Sequence, residues 1–241
     1  EVEERFRIKI HPFTAWAMGR YTSLRNAKYL AYPFFLERLV ATEWQAQPCD
    51  LIFSQHAIAA VTAGRLKRRW GVPVVMNFLD YLTAFMETWP AYLAPPPALA
   101  LHKRFELSLP KRYGADGLLT VSDTLADYFA ETGYPRERIL PIYYGYDSEL
   151  FTFRGERSRN NPPVVVMHGS LDHHHLGEIA VQAVRTVFTR RPEVIWKFVG
   201  QRTTALNSFL ARVQREAPGA RVECTGFVPY REVAAHLQSA D

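Results

Sequence analysis

Cysteine is scarce in this chain. Two thiols, Cys49 and Cys224, occur in 241 residues, far apart and outside any CxxC pair. No metal or redox motif is indicated, and two unpaired thiols fit a reducing cytoplasm. No apolar run approaches the roughly 20 residues of a membrane span. The start shows no signal-peptide pattern. Short-period repeats and low-complexity tracts are also missing. No platform of interleaved basic and aromatic residues argues for nucleic acid, so none is expected as a partner. The chain opens on Glu1 without a methionine and stops at Asp241, which reads as a fragment.

Apolar residues make up 48% of the chain, enough for packed cores. The net charge of +5 is unevenly spread. Residues 1–151 hold 17 Lys+Arg and 16 Asp+Glu, whereas residues 152–241 hold 12 and 8. Five of the eight histidines also lie in the second part. A basic second part suits an anionic ligand, although a solvated surface with a basic bias would look the same.

The order of elements is alternating β and α. Arg5–Ile10 (RFRIKI) alternates polar and apolar and predicts a strand. A long helical pattern follows from Ser23, an N-cap residue type, to about Gln47, with Pro33 expected to kink or divide it. Strands are predicted at Leu51–Ser54, Val72–Phe78, Gly117–Val121 and Ile139–Ile142. Helices are predicted at Ala57–Trp70, Ala98–Tyr113 and Asp123–Glu131, the last capped by Ser122. Leu79–Pro97 reads as a loop. Thr152–Pro163 is polar, aperiodic and ends in two prolines, so it is expected to link two domains, 1–151 and 164–241. Three further β-α units follow, with strands at Val164–His168, Ile195–Val199 and Arg221–Thr225. This alternation argues for parallel sheets covered by helices.

The pivotal stretch is Pro162–Gly177, PPVVVMHGSLDHHHLG. A buried-strand run ends at His168-Gly169, a polar turn follows, and Gly177 leads into a helix. That helix should bury Ile179, Ala180, Ala183, Val184 and Val187. Free N–H groups and the helix dipole at such a start attract anions. The turn is therefore expected to receive the phosphates of a nucleotide-sugar. Val199-Gly200 and Thr225-Gly226 repeat the strand-end glycine. In parallel α/β sheets ligands sit beyond the carboxyl ends of strands, where glycine lets the backbone turn sharply or approach a ligand closely. Ordinary turn chemistry is the alternative for each.

ADGLLTVSDTLADYFAETGYPRERILPIYYGYDSELF (Ala115–Phe151), VVVMHGSLDHHHLGEIAVQAV, WKFVGQ and VECTGFVPYREVAAHLQSAD, in that order, resemble the retaining GT-B glycosyltransferases of family four. Gly145, Asp147 and Phe151 fit the closure of that family's first domain. The resemblance implies an α/β fold of two Rossmann-like parallel-sheet domains, the second incomplete here. It implies a first glycine-rich loop before Glu1 and a Glu-x7-Glu region after Asp241. It also implies transfer of a sugar, with retained configuration, from a nucleotide-diphosphate sugar to a glycan, lipid or polysaccharide. No metal or other cofactor is needed, and the two domains close around the donor. A nucleotide-sugar epimerase on the same fold and a degenerate binding or scaffold subunit are the alternatives.

The implied donor residues are Gly169, Ser170, His173, Gly177, Gly200, Gly226, Phe227 and Val228. The family's basic residues in the donor turn are replaced by Ser170 and Leu176. A protonated histidine among His173–His175 is one substitute, a solvated loop the other. Where the family often has a His-Asp pair, this chain has Leu79-Asp80. Asp80 is the candidate acid/base or acceptor-hydroxyl ligand, with an Asx turn or helix cap as its alternative. His56, closing LIFSQH, is the second catalytic candidate, with a hydrogen-bonded structural role as its alternative. Glu106 is expected to cap or pair. No chemistry is read from Tyr144. The aromatic stretch Tyr81–Tyr92 is a candidate acceptor contact. Arg20–Tyr29 mixes basic and aromatic residues and is a candidate peripheral contact with the inner membrane face.

Overall fold

The computed structural model describes residues 2–10, 25–88, 95–152, 159–172 and 175–241. Ser23, the start of Arg20–Tyr29, the end of Tyr81–Tyr92, half of the Thr152–Pro163 segment, and His173 and His174 lie outside them. The chain forms two compact units, Glu1–Tyr144 and Gly145–Asp241.

In the first unit, α1 (Val2–Phe6) precedes α2 (Arg25–Ala46). The strand expected at Arg5–Ile10 is not formed. A helical turn takes its first residues, and Phe6, Ile8 and Ile10 stay exposed, with no strand alongside among the described residues. Pro33 sits inside α2 without dividing it; it is buried, and the Thr62 hydroxyl of the facing helix donates to its carbonyl at 3.2 Å.

Then come β1 (Ile52–Gln55), α3 (His56–Trp70), β2 (Val74–Phe78), the single-turn α4 (Leu82–Phe85), α5 (Pro96–Tyr113), β3 (Gly117–Thr120), α6 (Asp123–Glu131) and β4 (Ile139–Pro141). The strands pair in parallel in the order β1-β2-β3-β4. Parallel neighbours require crossovers, and helices supply them. Gly71 ends α3 in the left-handed region, φ +72°, with its N–H donating to the Lys67 carbonyl. Ser122 caps α6, accepting from the Leu125 N–H at 3.2 Å.

One face of this sheet forms the core. Val74, Met76, Phe78, Leu118 and Ile139 pack against Ala57, Ala60 and Ala63 of α3, Leu109 of α5, and Ala126 and Phe129 of α6. The alanines let α3 lie close to the sheet, and Phe78 and Phe129 meet at 4.8 Å between ring centroids. The other face carries Phe53, Val75, Leu119 and Leu140 by register; Phe53 and Leu140 are more than half exposed.

Part of Leu79–Pro97 is helical rather than loop. The Glu106 carboxylate accepts from the Leu82 and Thr83 N–H groups at 3.3 and 3.0 Å and from the Thr83 hydroxyl, which organises α4 from a distant helix. Glu106 therefore has the capping role expected of it. Burial raises its pKa, and these hydrogen bonds oppose the rise.

The second unit has β5 (Val164–His168), α7 (Glu178–Arg190), β6 (Ile195–Val199), α8 (Thr204–Glu216), β7 (Arg221–Cys224) and α9 (Tyr230–Gln238). Its strands are parallel in the order β5-β6-β7, in a sheet separate from the first. Phe198, Leu206, Phe209, Val213, Val181 and Val184 form its core. The expected face of α7 is corrected: Ile179 is 83% exposed and Ala183 is exposed, while Val181 and Val184 are buried. The stripe 180/181/184/187 holds the helical spacing, and 179 and 183 fall to its side. Phe151 packs edge-on against Tyr230 of α9 at 5.6 Å, and Asp147 accepts from the Glu149 and Leu150 N–H groups, so the closing motif belongs with this unit.

Phe129→Ala is expected to cost about 3–5 kcal/mol, the range for truncating a buried phenylalanine. Urea unfolding followed by circular dichroism should show a lower midpoint with a far-ultraviolet spectrum unchanged in the native state.

Candidate functional site

Parallel pairing sets the carboxyl ends of β1, β2, β3 and β4 along one edge of the first sheet. His56 follows β1, Asp80 comes just after β2, Ser122 just after β3 and Tyr144 shortly after β4. His56 is the first residue of α3 and has φ +62°. A histidine in the left-handed region costs about 1–2 kcal/mol of backbone strain, and such strain gathers at functional positions. Its Nδ1 is buried, with no hydrogen-bond partner among the described residues. The hydrogen-bonded structural role weighed for His56 therefore lacks its bond at this nitrogen.

Burial pushes the His56 pKa below its ordinary value of 6.5, while the negative charge of Asp80 pulls it back up. The imidazole is thus neutral at pH 7 and under the influence of an exposed carboxylate. Tyr144 joins this group. Its hydroxyl donates to the Leu79 carbonyl at 3.1 Å, and its pKa is raised by burial and then by Asp80. Sequence reasoning missed Tyr144, because only the return of β4 to the sheet brings it beside the β2 end.

In the second unit the three strand-end glycines come together. The Gly169 N–H donates to the Val199 carbonyl at 3.1 Å. Gly200 and Gly226 form an antiparallel bridge. The φ angles of Gly169, Gly200 and Gly226 are +133°, +156° and +76°. A Cβ on Gly200 would fall 2.3 Å from the Gly169 carbonyl oxygen, so this approach admits no side chain there; around Gly169 and Gly226 the Cβ direction is open. Ser170 is exposed, with its Oγ 3.3 Å from the His175 Nδ1. Gly177 is the N-cap of α7 and offers no capping side chain. Phe227 is 77% exposed and Val228 half-buried. His173 lies outside the described residues.

Two details alter the electrostatics. Leu176, where the resemblance implies a basic residue, is buried in the core. Arg202, two residues past Gly200, is exposed and held by its Nε to Asn207 Oδ1 at 2.9 Å. Its partner is neutral, which leaves the guanidinium charge available. Arg202 was overlooked in the sequence, although a basic residue two positions after a strand-end glycine is a readable signal. Glu178, in the first turn of α7, would oppose an anion, but Arg212 sits 2.8 Å from its carboxylate and holds its pKa down. No group of three or more His, Cys, Asp or Glu side chains suited to a metal converges among the described residues. No described helix is long and apolar enough to cross a membrane.

Residues 3–145 match the model of the glycosyl transferase 4-like domain. The chain belongs to that family. No curated protein matches it. Among solved structures, this glycosyl transferase 4-like chain is similar to Anabaena HepE in complex with UDP and glucose, with TM-score 0.63 and 19% identity over 100% of this chain and 61% of that one. It is similar to the lipopolysaccharide outer core galactosyltransferase WaaB, with TM-score 0.56 and 13% identity over 91% and 55%. A UDP-GlcNAc 2-epimerase from Neisseria meningitidis bound to UDP-GlcNAc also shares the fold, with TM-score 0.50 and 11% identity over 99% and 64%. The fold is GT-B, as expected, and the chain spans 61% of the length of HepE.

For His56 the unfolded chain takes up its proton at higher pH than the folded chain. Its contribution to stability is present above pH 6.5 and is lost as pH falls through the lowered value. Asp80→Asn removes the charge that raises this pKa. In proton NMR titrations the His56 ring should titrate below 6.5 in the parent and lower still in Asp80→Asn. A midpoint that ignores the substitution would remove Asp80 from this site.

Proposed function

We propose that this glycosyl transferase 4-like chain is part of an enzyme that moves a sugar from UDP-sugar to a glycan, lipid or polysaccharide acceptor with retained anomeric configuration. The match of residues 3–145 carries the reading, and the HepE complex with UDP and glucose motivates the nucleotide. The glycine cluster of the second unit would let the diphosphate approach the backbone closely, and the N–H groups at the start of α7, which no side chain caps, would face it. Arg202 would supply the positive charge that the family's donor turn draws from residues replaced here by Ser170 and Leu176. Exposed Phe227 and half-buried Val228 would border the nucleotide. As the bond from anomeric carbon to diphosphate oxygen breaks, UDP keeps the electron pair, and preorganised dipoles and cations stabilise the developing charge. The acceptor oxygen forms the new bond to the anomeric carbon and its proton passes to Asp80. Neutral His56 would hold the acceptor hydroxyl in place.

No cofactor beyond the donor takes part in this scheme. Sugar-labelled UDP-glucose incubated with glycan and lipid acceptors and the whole enzyme of which this chain is part should yield labelled acceptor. A free, altered nucleotide-sugar would favour the epimerase reading instead, and binding without turnover a scaffold. Arg202→Ala should weaken UDP binding by about tenfold, the scale of one charge-assisted contact. Calorimetry checks this, and an unchanged affinity would take Arg202 out of the donor site.

A further inference from the structure

The first unit carries a cavity with no part in the scheme above. It has a volume of about 440 Å³ and is bordered by α2, α3 and α5. Phe34, Val61, Leu101 and Phe105 give it an apolar wall. Two charged side chains at the wall are already engaged. Glu106 is bonded to Leu82 and Thr83, and Arg65 pairs with Glu37 at 2.6 Å while lying over the Phe34 ring at 4.5 Å. The volume is that of small-molecule pockets, roughly 300–1,000 Å³. A ligand here gains contact area and few hydrogen bonds, which suits hydrocarbon.

Leu101 and Phe105 also line a shallower groove with Arg104, Ser108, Lys111 and Arg112. These residues follow one face of α5 by their three- and four-residue spacing. The stripe from Leu101 to Arg112 covers roughly 16 Å at the helical rise. Arg104, Lys111 and Arg112 are exposed, and among the described residues none of them pairs with a carboxylate. Lys111 donates to the Thr132 carbonyl, and the Arg112 guanidinium lies over the Phe105 ring at 5.6 Å. The apolar cavity and the cationic groove thus adjoin at Leu101 and Phe105, which line both. The carboxylate of Glu106 at the cavity wall repels an anion, so an acidic headgroup belongs at the groove end.

We propose that the first unit binds a single-chain lipid with a phosphate headgroup, its hydrocarbon in the α2–α3–α5 cavity and its phosphate on Arg104 and Arg112. Guanidinium groups suit phosphate through paired hydrogen bonds. Binding of this kind needs neither the donor nor sugar transfer.

The test titrates the 241-residue chain with lauroyl lysophosphatidylglycerol below its micelle concentration, followed by calorimetry. Lauroyl lysophosphatidylcholine, glycerol phosphate and phosphatidylglycerol vesicles are the comparison ligands. Saturable binding of the anionic lipid is expected, about tenfold tighter than its choline analogue, with no binding of glycerol phosphate alone. Arg104→Glu with Arg112→Glu should abolish the preference for the anionic lipid. Phe34→Ser with Leu101→Ser, both at exposed positions, should weaken both lipids alike. Equal affinity for the two lipids in the parent chain, binding untouched by either pair of substitutions, or binding to vesicles without binding of the monomeric lipid would overturn the proposal.

Discussion

Parallel strand pairing is the constraint on which both units rest. It forbids hairpins between neighbours, forces a helix into each crossover, and sends every strand's carboxyl end to the same edge. The two edges differ in what they hold. That of the first unit carries side chains, His56, Asp80, Ser122 and Tyr144. That of the second unit carries backbone, in the contact of Gly169, Gly200 and Gly226. Side chains suit a hydroxyl that must lose a proton, whereas exposed amides suit a diphosphate that must keep its charge.

Charge has been rearranged within this frame. With Leu176 committed to the core, the turn after β5 offers backbone and hydroxyl groups, and Arg202 on the next crossover carries a guanidinium whose hydrogen-bond partner, Asn207, is neutral. In the first unit, burial keeps His56 neutral while Asp80 stays exposed. In the proposed reaction this pair would split its roles: the neutral ring would exchange hydrogen bonds, and the carboxylate would accept a proton. Glu106 supports this edge from behind by pinning α4, the turn that directly follows Asp80.

Much of the fold was legible because its signals are local. Apolar runs ending in glycine became strands at Val164–His168 and Ile195–Val199. Gly71 and Ser122 marked helix ends through their own backbone and side-chain preferences. What escaped depends on contacts distant in sequence. RFRIKI alternates like a strand, yet among the described residues no strand lies beside it, and local helix takes part of it. The turn α4 forms because Glu106, on a later helix, accepts its N–H groups. Ile179 fits an apolar stripe by composition, but the sheet buries Val181 in its place, beside the expected Val184. At the site, Asp80, His56 and the glycines were readable from strand ends. The left-handed backbone of His56, the approach of Tyr144 to Leu79 and the free charge of Arg202 required coordinates.

The most direct measurement is hydrogen–deuterium exchange of the chain with and without UDP, resolved by peptide. Slower exchange is expected across 169–171, 177–181 and 200–203, where the glycine contact, the uncapped start of α7 and Arg202 meet the proposed diphosphate. Saturating UDP that leaves those amides unchanged, or that protects only segments of the first unit, would contradict the placement of the donor.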